Sequence, residues 1–564
     1  MNDHADYWHR TTVGRRALLR GASITGAGLA GAALMGCGGS SSAPKATPAA
    51  SSGATGAPAA GAKQPKVSDA LVMIQTRDAP SLDPLDSQVR TTPERISLVY
   101  PRLINVVRAN DNGDTKQAAS YAVEGWEWNG DGTKVTFKLR KGLKYQNLAP
   151  VNGREFVAAD VKSSLDRYMN DPKSTFKARY SDIAKIETAD NYTVAITLKS
   201  PSRYAMSALA AEPSWILPPE LKPEDMKTKA VGPGPFIHDQ FLQGEGSQLH
   251  KNPDFIDAAK IYYNKYQIKV ITDPATRIAA IKTNQADALT TGGVTKSELK
   301  TAEGPSVKSY QDVNIGCNGL WFNMRNPKWK DIRARMAISK AFDRQADIDQ
   351  IYQGDGQMVG PIPTGFGKWA YSDKELREFN AYKYDPAEAK KLWDAAGKPS
   401  TSNEYYIRPK AQSTTAAPEA ELLAGQIEKN LGIKATYKTE DYTIFLPKGY
   451  NNQFEDICLF GYSLGGEPMD YLLLPYMPGG ARNGSGLNDP DVAKRLDDLK
   501  ATLDDTAAVA KARDIQKHIL DNVMSMAHMT GGNTYATYNA KLQNWQVPAA
   551  YPYGIEYTLL SWKE

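Results

Sequence analysis

The feature that most limits the fold of this chain is its repeated return from a capped helix to a strand. The run DPAE (385–388) combines an N-cap, a first-turn proline and a capping-box acid, so it predicts a helix start. A second helix carries Leu423, Ile427 and Leu431 on one face, and IKATYK (433–438) then resumes as a strand. This order predicts α/β domains with mostly parallel sheets, whose ligands bind beyond the strand ends or between domains.

The first part of the folded region also combines predicted strands with a capped helix. ALVMIQT (70–76) is a strand candidate, and TTPERISLVYPRL (91–103) begins as a helix with a threonine cap and a first-turn proline. Residues 123–140 alternate apolar and polar side chains on either side of an Asn-Gly-Asp-Gly turn, which predicts a hairpin.

The N-terminal 36 residues are predicted to be an export signal. Basic residues precede a short Gly/Ala-rich apolar stretch, which is too short and too weakly apolar for a spanning helix of roughly 20 residues. Arg15 and Arg16 resemble the twin-arginine export motif, with the general secretory route as the alternative. Leu34-Met35-Gly36-Cys37 resembles a lipobox, so Cys37 is the expected lipidation site. Residues 37–66 then form a flexible Ala/Pro/Ser/Gly tether.

The remainder of the 564-residue chain is long enough for two or three domains. The formal net charge of +5 falls to +3 without the four arginines and two aspartates of the signal, which is too little to predict nucleic-acid binding. Cys317 and Cys458 could form one disulfide, but the sequence does not show their separation.

One motif raises an enzymatic alternative. Gly461-Tyr462-Ser463-Leu464-Gly465 matches the G-x-S-x-G elbow of serine hydrolases, and His528 follows later in the chain. An elbow needs a helix directly after its serine, whereas glycines and Pro468 follow here. We therefore expect no enzyme, with a serine esterase using Ser463 as a minor alternative. The six histidines lack zinc-site spacing, so neither a metal nor a cofactor is predicted.

Six segments, taken together and in this order, carry a recognisable pattern. They are PSLDP (80–84), DGTKVTFKLRKGLKY (131–145), EFVAADVKSSLDRYM (155–169), the Gly-Pro-Gly-Pro-Phe hairpin within 231–255, the strand and helix of 321–344, and YDPAEAKKLWDAAG (384–397). These segments resemble, in the same order, those of the extracytoplasmic solute-binding proteins of the oligopeptide/dipeptide type, called family 5, which supply ABC importers. The resemblance covers residues 67 to 564.

The resemblance implies a two-lobed periplasmic-binding-protein-like fold of type II with an enlarged lobe I. Lobe I would run from 67 to 300 and lobe II from 301 to 534, and residues 535–564 would return to lobe I. Hinges are expected near Val307 to Cys317 and Gly532 to Tyr538. The implied function is to capture a peptide or similar polar organic solute and deliver it to ABC permease subunits. The expected form is a monomer, lipid-anchored at the outer face of the cytoplasmic membrane or in the periplasm. A sensory binding lipoprotein without a transporter is the other alternative.

The resemblance also implies the ligand site, position by position. The expected ligand-binding residues are Gln88, Val89, Arg90, Tyr442, Tyr462, Leu464 and Gly465. The loop 464–466 departs from the family pattern, because it has no acid before Glu467 to pair with a free amine, and Asp470 is the next acid. We therefore expect a ligand held by stacking and neutral hydrogen bonds.

Overall fold

The computed structural model describes residues 65–563, except 86–90, 109–114, 175, 212, 290–295, 303, 312–315, 411–414, 463, 465–466, 534, 544 and 546–560. The chain separates into Met1–Pro65 and Lys66–Glu564, and all elements below belong to the second unit. Arg15, Arg16 and Cys37 therefore lie outside the described residues, as do Gln88, Val89, Arg90, Ser463 and Gly465. No helix within the described ranges is long and apolar enough to cross a membrane.

The strands, in chain order, are β1 (Ser68–Gln75), β2 (Ile104–Arg108), β3 (Thr115–Ala119), β4 (Val123–Trp128), β5 (Lys134–Leu139), β6 (Ile183–Asp190), β7 (Thr193–Leu198), β8 (Phe236–Leu242), β9 (Gly246–Lys251), β10 (Tyr263–Val270), β11 (Ala288–Leu289), β12 (Val307–Gln311), β13 (Cys317–Phe322), β14 (Gly356–Met358), β15 (Ser402–Ile407), β16 (Lys434–Lys438), β17 (Ile457–Tyr462), β18 (Met526–His528), β19 (Thr530–Gly532), β20 (Tyr535–Asn539), β21 (Leu542–Gln543) and β22 (Trp562–Lys563).

The α-helices are α1 (Thr91–Ile96), α2 (Ala158–Asn170), α3 (Arg203–Ala210), α4 (Pro223–Met226), α5 (Pro274–Lys282), α6 (Lys296–Ala302), α7 (Ile332–Ala341), α8 (Arg344–Gln350), α9 (Asp373–Glu378), α10 (Pro386–Ala395), α11 (Ala416–Leu431), α12 (Tyr442–Tyr450), α13 (Asp470–Tyr476), α14 (Pro490–Lys500) and α15 (Asp505–Asp521). Short 3-10 turns lie at Lys177–Tyr180, Ala258–Lys260, Pro327–Trp329, Thr364–Trp369 and Asn380–Tyr382.

Two main sheets organise the structure. The first has seven strands in the order β12-β20-β11-β1-β10-β9-β8, and the second has five in the order β16-β15-β17-β13-β18. Against the second sheet packs a core cluster that includes Leu320, Trp393, Leu423 and Ile457. The helical face predicted from Leu423 and Ile427 therefore contributes to this core, since both residues are fully buried.

The α/β class predicted from the sequence is confirmed, but the expectation of mostly parallel sheets is wrong. Strand β1 is parallel to β10 and β11, and β15 is parallel to β16 and β17, whereas the other ladders of both sheets are antiparallel. A separate four-stranded sheet, β4-β5-β7-β6, is antiparallel throughout. The difference arises because hairpins and strands returning from distant parts of the chain extend both main sheets beyond their parallel centres.

The backbone passes twice between the two main sheets. Strand β12 pairs with β20 in the first sheet, whereas β13, the next strand in the chain, pairs with β17 in the second. The second passage lies between β18, which pairs with β13, and β20. Both passages are short, so two connections join the sheets. Each sheet packs against its own core cluster, around Leu423 for the second sheet and around Ile74 and Ile281 for the first.

The Gly-Pro-Gly-Pro-Phe segment requires glycine at positions 232 and 234, because the backbone of residues 98–99 lies close to both. A Cβ atom on Gly232 would lie 2.1 Å from the Val99 carbonyl oxygen, and one on Gly234 would lie 2.5 Å from the same atom. The Gly234 N–H donates to that carbonyl at 2.8 Å. This pairing fixes the segment against the end of α1.

Gly232→Ala is therefore expected to destabilise the protein by about 3 kcal/mol, because the obstructing atom belongs to the backbone and cannot rotate away. Gly425→Ala is the matched control, since a Cβ there would meet nothing within 4 Å on helix α11. That change should raise stability by about 0.5–1 kcal/mol. Thermal or urea denaturation of both variants tests the pair, and equal effects would contradict the steric explanation.

Candidate functional site

A buried ionic contact joins residues that precede β12 to residues that follow β13. Asp470, the first residue of α13, accepts a hydrogen bond from the Tyr204 hydroxyl at 2.8 Å. Arg179 lies 3.3 Å from the other carboxylate oxygen of Asp470. All three side chains are buried. Asp470 therefore already contacts Tyr204 and Arg179, so its carboxylate is not available to pair with a ligand amine.

More exposed contacts surround this one. Lys500 lies 3.0 Å from Asp182, whose second oxygen accepts a 2.5 Å hydrogen bond from Ser202. Arg203 donates to the Leu503 carbonyl at 3.1 Å and forms an ion pair with Asp505. The turn before α3 therefore faces the turn between α14 and α15, and the two sheet regions are in contact in this conformation.

Glu467 lies at the same boundary. Its carboxylate accepts a 3.4 Å hydrogen bond from Gln117 on β3. Burial and the neighbouring Asp470 raise the pKa of Glu467 to about 7. Burial also raises the pKa of Asp470, although Arg179 opposes that shift. Near neutral pH, Glu467 is therefore a weak acid that can exchange a proton with little free-energy change.

A continuous aromatic surface covers one face of the second sheet. We call it the aromatic wall and define it as Trp321, Tyr442, Phe445, Tyr450, Phe460 and Tyr462. Phe460 is central, because its ring centroid lies 5.2 Å from that of Trp321, 5.6 Å from Phe445 and 4.9 Å from Tyr450. Such rings offer flat faces and edges for stacking with a ligand.

The structure places the predicted Tyr442 and Tyr462 on this one surface. Tyr442 is half-buried and stacks on Phe445 with the ring centroids 6.3 Å apart. Tyr462 is buried and packs edge-on against Trp321 at 5.6 Å. The Leu464 N–H donates to the Tyr471 hydroxyl at 2.8 Å, which holds Leu464 close to Tyr471. Ligand contact by these residues stays a prediction.

The sequence interpretation missed Arg408, which follows directly after β15. Ile407 is opposite Leu459 in the parallel β15–β17 ladder, so Arg408 lies just beyond the end of β15 and beside the last residues of β17. Its Nη2 atom lies 3.2 Å from the position that a Cβ on Gly461 would occupy. The buried Nε has no hydrogen-bond partner among the described residues. A charged residue just beyond a buried strand was the available signal, because ligands bind at such strand ends.

Behind Arg408 lies a buried pair of acids that reaches the second passage between the sheets. Glu419 accepts a hydrogen bond from Tyr352, and Asp347 accepts one from Thr530 on β19. Burial and then Asp347 raise the pKa of Glu419 to about 7, while Arg408 opposes the shift. Burial raises the pKa of Asp347 to about 6. Ionising both acids at high pH is therefore unfavourable.

Protonated Glu419 should stabilise the fold, and this contribution should disappear as pH rises from about 4.5 through about 7. Glu419→Gln remains neutral, so it should gain up to about 3 kcal/mol over the natural protein at pH 8 and little at pH 4. Denaturation at both pH values measures the difference. Glu421→Gln, an exposed change on the same helix, is the control, and equal pH profiles for all three proteins would contradict the assignment.

The buried histidine of the esterase alternative already has two partners. The His528 Nε2 lies 2.9 Å from the Tyr476 hydroxyl, and its Nδ1 lies 3.6 Å from the Cys317 sulfur. Burial lowers the pKa of His528 to about 3. These contacts argue against His528 as a general base. Cys317 and Cys458 are both free and buried, so the disulfide left open by the sequence is absent here.

These features define a class of protein before any comparison. Two sheet regions joined by two short connections meet through buried charges. An aromatic wall lies on the second sheet, and near it the Arg408 guanidinium has no salt bridge to a described residue. This is the arrangement of a two-lobed binding protein. The family model for bacterial extracellular solute-binding proteins, family 5, matches residues 119–484, which is more than half of the chain. The chain belongs to this family, and the predicted family and two-lobed fold class are confirmed.

Curated relatives agree with this family. Heme-binding protein A of Haemophilus influenzae is 27% identical over 373 residues, which cover 61% of this chain and 65% of that protein. Di/tripeptide-binding protein 3 of Pseudomonas aeruginosa is 26% identical over 438 residues, which cover 72% of this chain and 79% of the relative. The match thus spans slightly less than two thirds of the first of these relatives.

Solved structures show the same fold. The ABC transporter-associated periplasmic binding protein DppA from Helicobacter pylori, in complex with the peptide STSA, matches with a TM-score of 0.73 and 21% identity over 88% of this chain and 99% of its own. The binding protein AgaA, in complex with agropinic acid, matches with a TM-score of 0.74 and 23% identity over 88% and 99% of the two chains.

Proposed function

We propose that this chain is the substrate-binding component of an ABC importer and that it encloses a carboxylate-bearing peptide or similar polar organic solute between two lobes. Lobe I would comprise the sheet of β1 and the four-stranded sheet, and lobe II the sheet of β13. The short connections between β12 and β13 and between β19 and β20 would serve as hinges. These limits place β12 with lobe I, because β12 pairs with β20 in the sheet of β1.

The observation that carries the proposal is the Arg408 guanidinium beside the aromatic wall. A positive charge half-exposed at a strand end, with no salt bridge to a described residue, is suited to bind an anionic group. The rings of Tyr442, Tyr462 and their neighbours would pack the rest of the solute. This changes the ligand expected from the sequence, because a charged contact joins the stacking and neutral hydrogen bonds.

Ligand binding would act on the equilibrium between open and closed lobes. The contact of Asp470 with Arg179 and Tyr204 forms only when the lobes meet, so it contributes to the closed state. A solute that contacts both lobes adds its own binding free energy to that state. The closed form would then be the one recognised by a permease.

The names of the relatives include several ligands, namely heme, peptides and an acidic organic solute. One carries the name di/tripeptide-binding protein, one structure holds a peptide, and another holds agropinic acid. Calorimetric titration with the dipeptide Ala-Leu and with Ala-Leu amide tests the role of the carboxylate. We expect the free acid to bind at least about tenfold more tightly. Equal affinities would contradict the proposed role of Arg408, and failure of peptides and of acidic organic solutes alike to raise the melting temperature would contradict solute binding.

We also propose that the protein is held at the membrane through a lipid on Cys37. The support is the lipobox-like Leu34-Met35-Gly36-Cys37 and the tether that follows it. Cys37→Ala should move the protein into the soluble fraction, because no helix in the described ranges can span a bilayer. Fractionation with an antibody against the folded region measures this. Equal membrane retention of the Cys37→Ala and natural proteins would rule out the anchor.

A further inference from the structure

A second guanidinium, that of Arg482, lies on the aromatic wall. The Arg482 side chain is half-exposed, and its Cζ lies 4.1 Å from the centre of the Tyr450 ring. Within the part of the chain that the structure describes, no carboxylate forms a salt bridge with Arg482, and the same is true of Arg408. Salt bridges are otherwise frequent on this protein's arginines, such as Arg333 with Asp331 at 2.6 Å.

The loop that carries Arg482 is held firmly. The Arg482 N–H donates to the Leu474 carbonyl at 3.1 Å. The neighbouring Asn483 side chain donates to the carbonyls of Met477 at 3.1 Å and Leu487 at 2.7 Å. A Cβ on Gly484 would lie 2.4 Å from the Trp321 ring, so the loop packs directly on the aromatic wall. The guanidinium is therefore presented on a fixed backbone.

Tyr450 interacts with the charges of both arginines. Its ring packs edge-on against Phe460 at 4.9 Å, one strand position before Gly461, where Arg408 lies. Burial raises the pKa of the Tyr450 hydroxyl, and the charges of Arg482 and Arg408 both oppose that rise. The charges of both guanidinium groups therefore act on the same hydroxyl.

The nearby acids are bonded to other groups or are buried acids with raised pKa values, although the charge of Arg482 also lowers the pKa of Asp470. Asp470 is bonded to Arg179 and Tyr204, Glu440 is bonded to Lys448 and Tyr406, and burial raises the pKa of Glu419. None of these carboxylates lies within ion-pair distance of Arg482. Arg482 over the Tyr450 ring and Arg408 beside Gly461, neither of them in a salt bridge with a described residue, form a site suited to an anion with two acidic groups.

We infer that Arg482 is a second anion-binding position beside Arg408, so that the solute is a compound with two acidic groups, such as a peptide with an acidic side chain or another dicarboxylate. This inference rests on the proposed function and narrows its ligand class. Arg408 binds one carboxylate and Arg482 the other, while the rings of Tyr450 and Phe460 cover the chain between them.

Calorimetric titration with the matched peptides Ala-Glu, Ala-Gln, Glu-Ala and Gln-Ala, and with glutarate, tests the inference. An acidic peptide should bind at least about tenfold more tightly than its amide. Arg482→Met should abolish this preference and leave the affinity for the amide within about twofold, whereas Arg482→Lys should keep part of it. Arg333→Met, a change at an exposed ion pair, should leave every affinity unchanged.

Each other result has a defined meaning. Equal binding of acidic and amide peptides, or a preference that survives in Arg482→Met, overturns the second anion position and leaves solute binding intact. If only solutes with a single acidic group bind, the inference also fails. If no solute of any class binds or raises the melting temperature, the proposed function itself fails. Arg482 also packs on Tyr450, so its replacement could affect the fold. The melting temperature of each variant, measured without solute, verifies that the variant is folded.

Discussion

Arg408→Met should weaken solute binding by about two orders of magnitude while leaving the protein folded. The guanidinium has no salt bridge to a described residue and its side chain is half-exposed, so its loss removes little native structure. A charge-assisted hydrogen bond to a buried carboxylate contributes about 1.5–3 kcal/mol, and a bidentate contact contributes at the upper end of this range. Methionine retains much of the apolar contact of the arginine stem with the wall.

Isothermal titration with a carboxylate-bearing solute measures this loss, and thermal denaturation without solute verifies the fold. Arg408→Lys should recover part of the affinity, since lysine restores the charge without the planar fork. Arg333→Met is the surface control. An Arg408→Met protein that binds as tightly as the natural one would remove Arg408 from the site.

Asp470→Ala is expected to have the largest effect on stability. The change deletes the carboxylate that faces the buried Arg179 guanidinium and accepts the Tyr204 hydrogen bond. Removing one partner from a buried ion pair costs about 3–5 kcal/mol, because the other charge stays desolvated. The contact joins the two lobes, so the open conformation should be more populated in the variant than in the natural protein. Small-angle scattering should then give a larger radius of gyration than for the natural protein.

A pair of controls separates this effect from a general loss of charge. Asp505→Ala removes an exposed partner of Arg203 and should cost no more than about 1 kcal/mol. The double variant Arg179→Met with Asp470→Leu replaces both charges by apolar groups, so it should be more stable than Asp470→Ala alone. If Asp470→Ala and Asp505→Ala cost the same, the buried contact is not a major source of stability.

Local chemistry explains most of what the sequence could predict. Asp385 caps α10 by accepting from the Glu388 N–H, and Gly432 ends α11 in the left-handed conformation with φ 73°. The hairpin expected in 123–140 is formed by β4 and β5. The helix expected over 91–103 is shorter, because α1 ends at Ile96 and the following carbonyls bond to the segment of Gly234. The early end of this helix could not be predicted from neighbouring residues, because the segment of Gly234 that bonds to it is distant in the chain.

The candidate site was harder to predict from the sequence, because its residues are also distant from one another in the chain. Tyr442 and Tyr462 could be named from family motifs, but their common surface depends on Phe445, Phe460 and Trp321, which come together only in the folded sheet. The sequence shows Asp470 only as the next acid after Glu467, because its hydrogen-bond partner Tyr204 lies 266 residues away. Such pairings follow from topology, which periodicity and capping do not specify.

The position of β20 also determines when the protein can fold during synthesis. Strand β20 lies between β11 and β12, although about 220 residues separate it from β12 in the chain. At about 5–20 residues per second, a ribosome needs about 10–45 seconds to make that interval. During this time β12 has no neighbouring strand, and exposed strand edges invite association with other chains. A nascent chain should therefore depend on factors that shield such edges until its last thirty residues emerge.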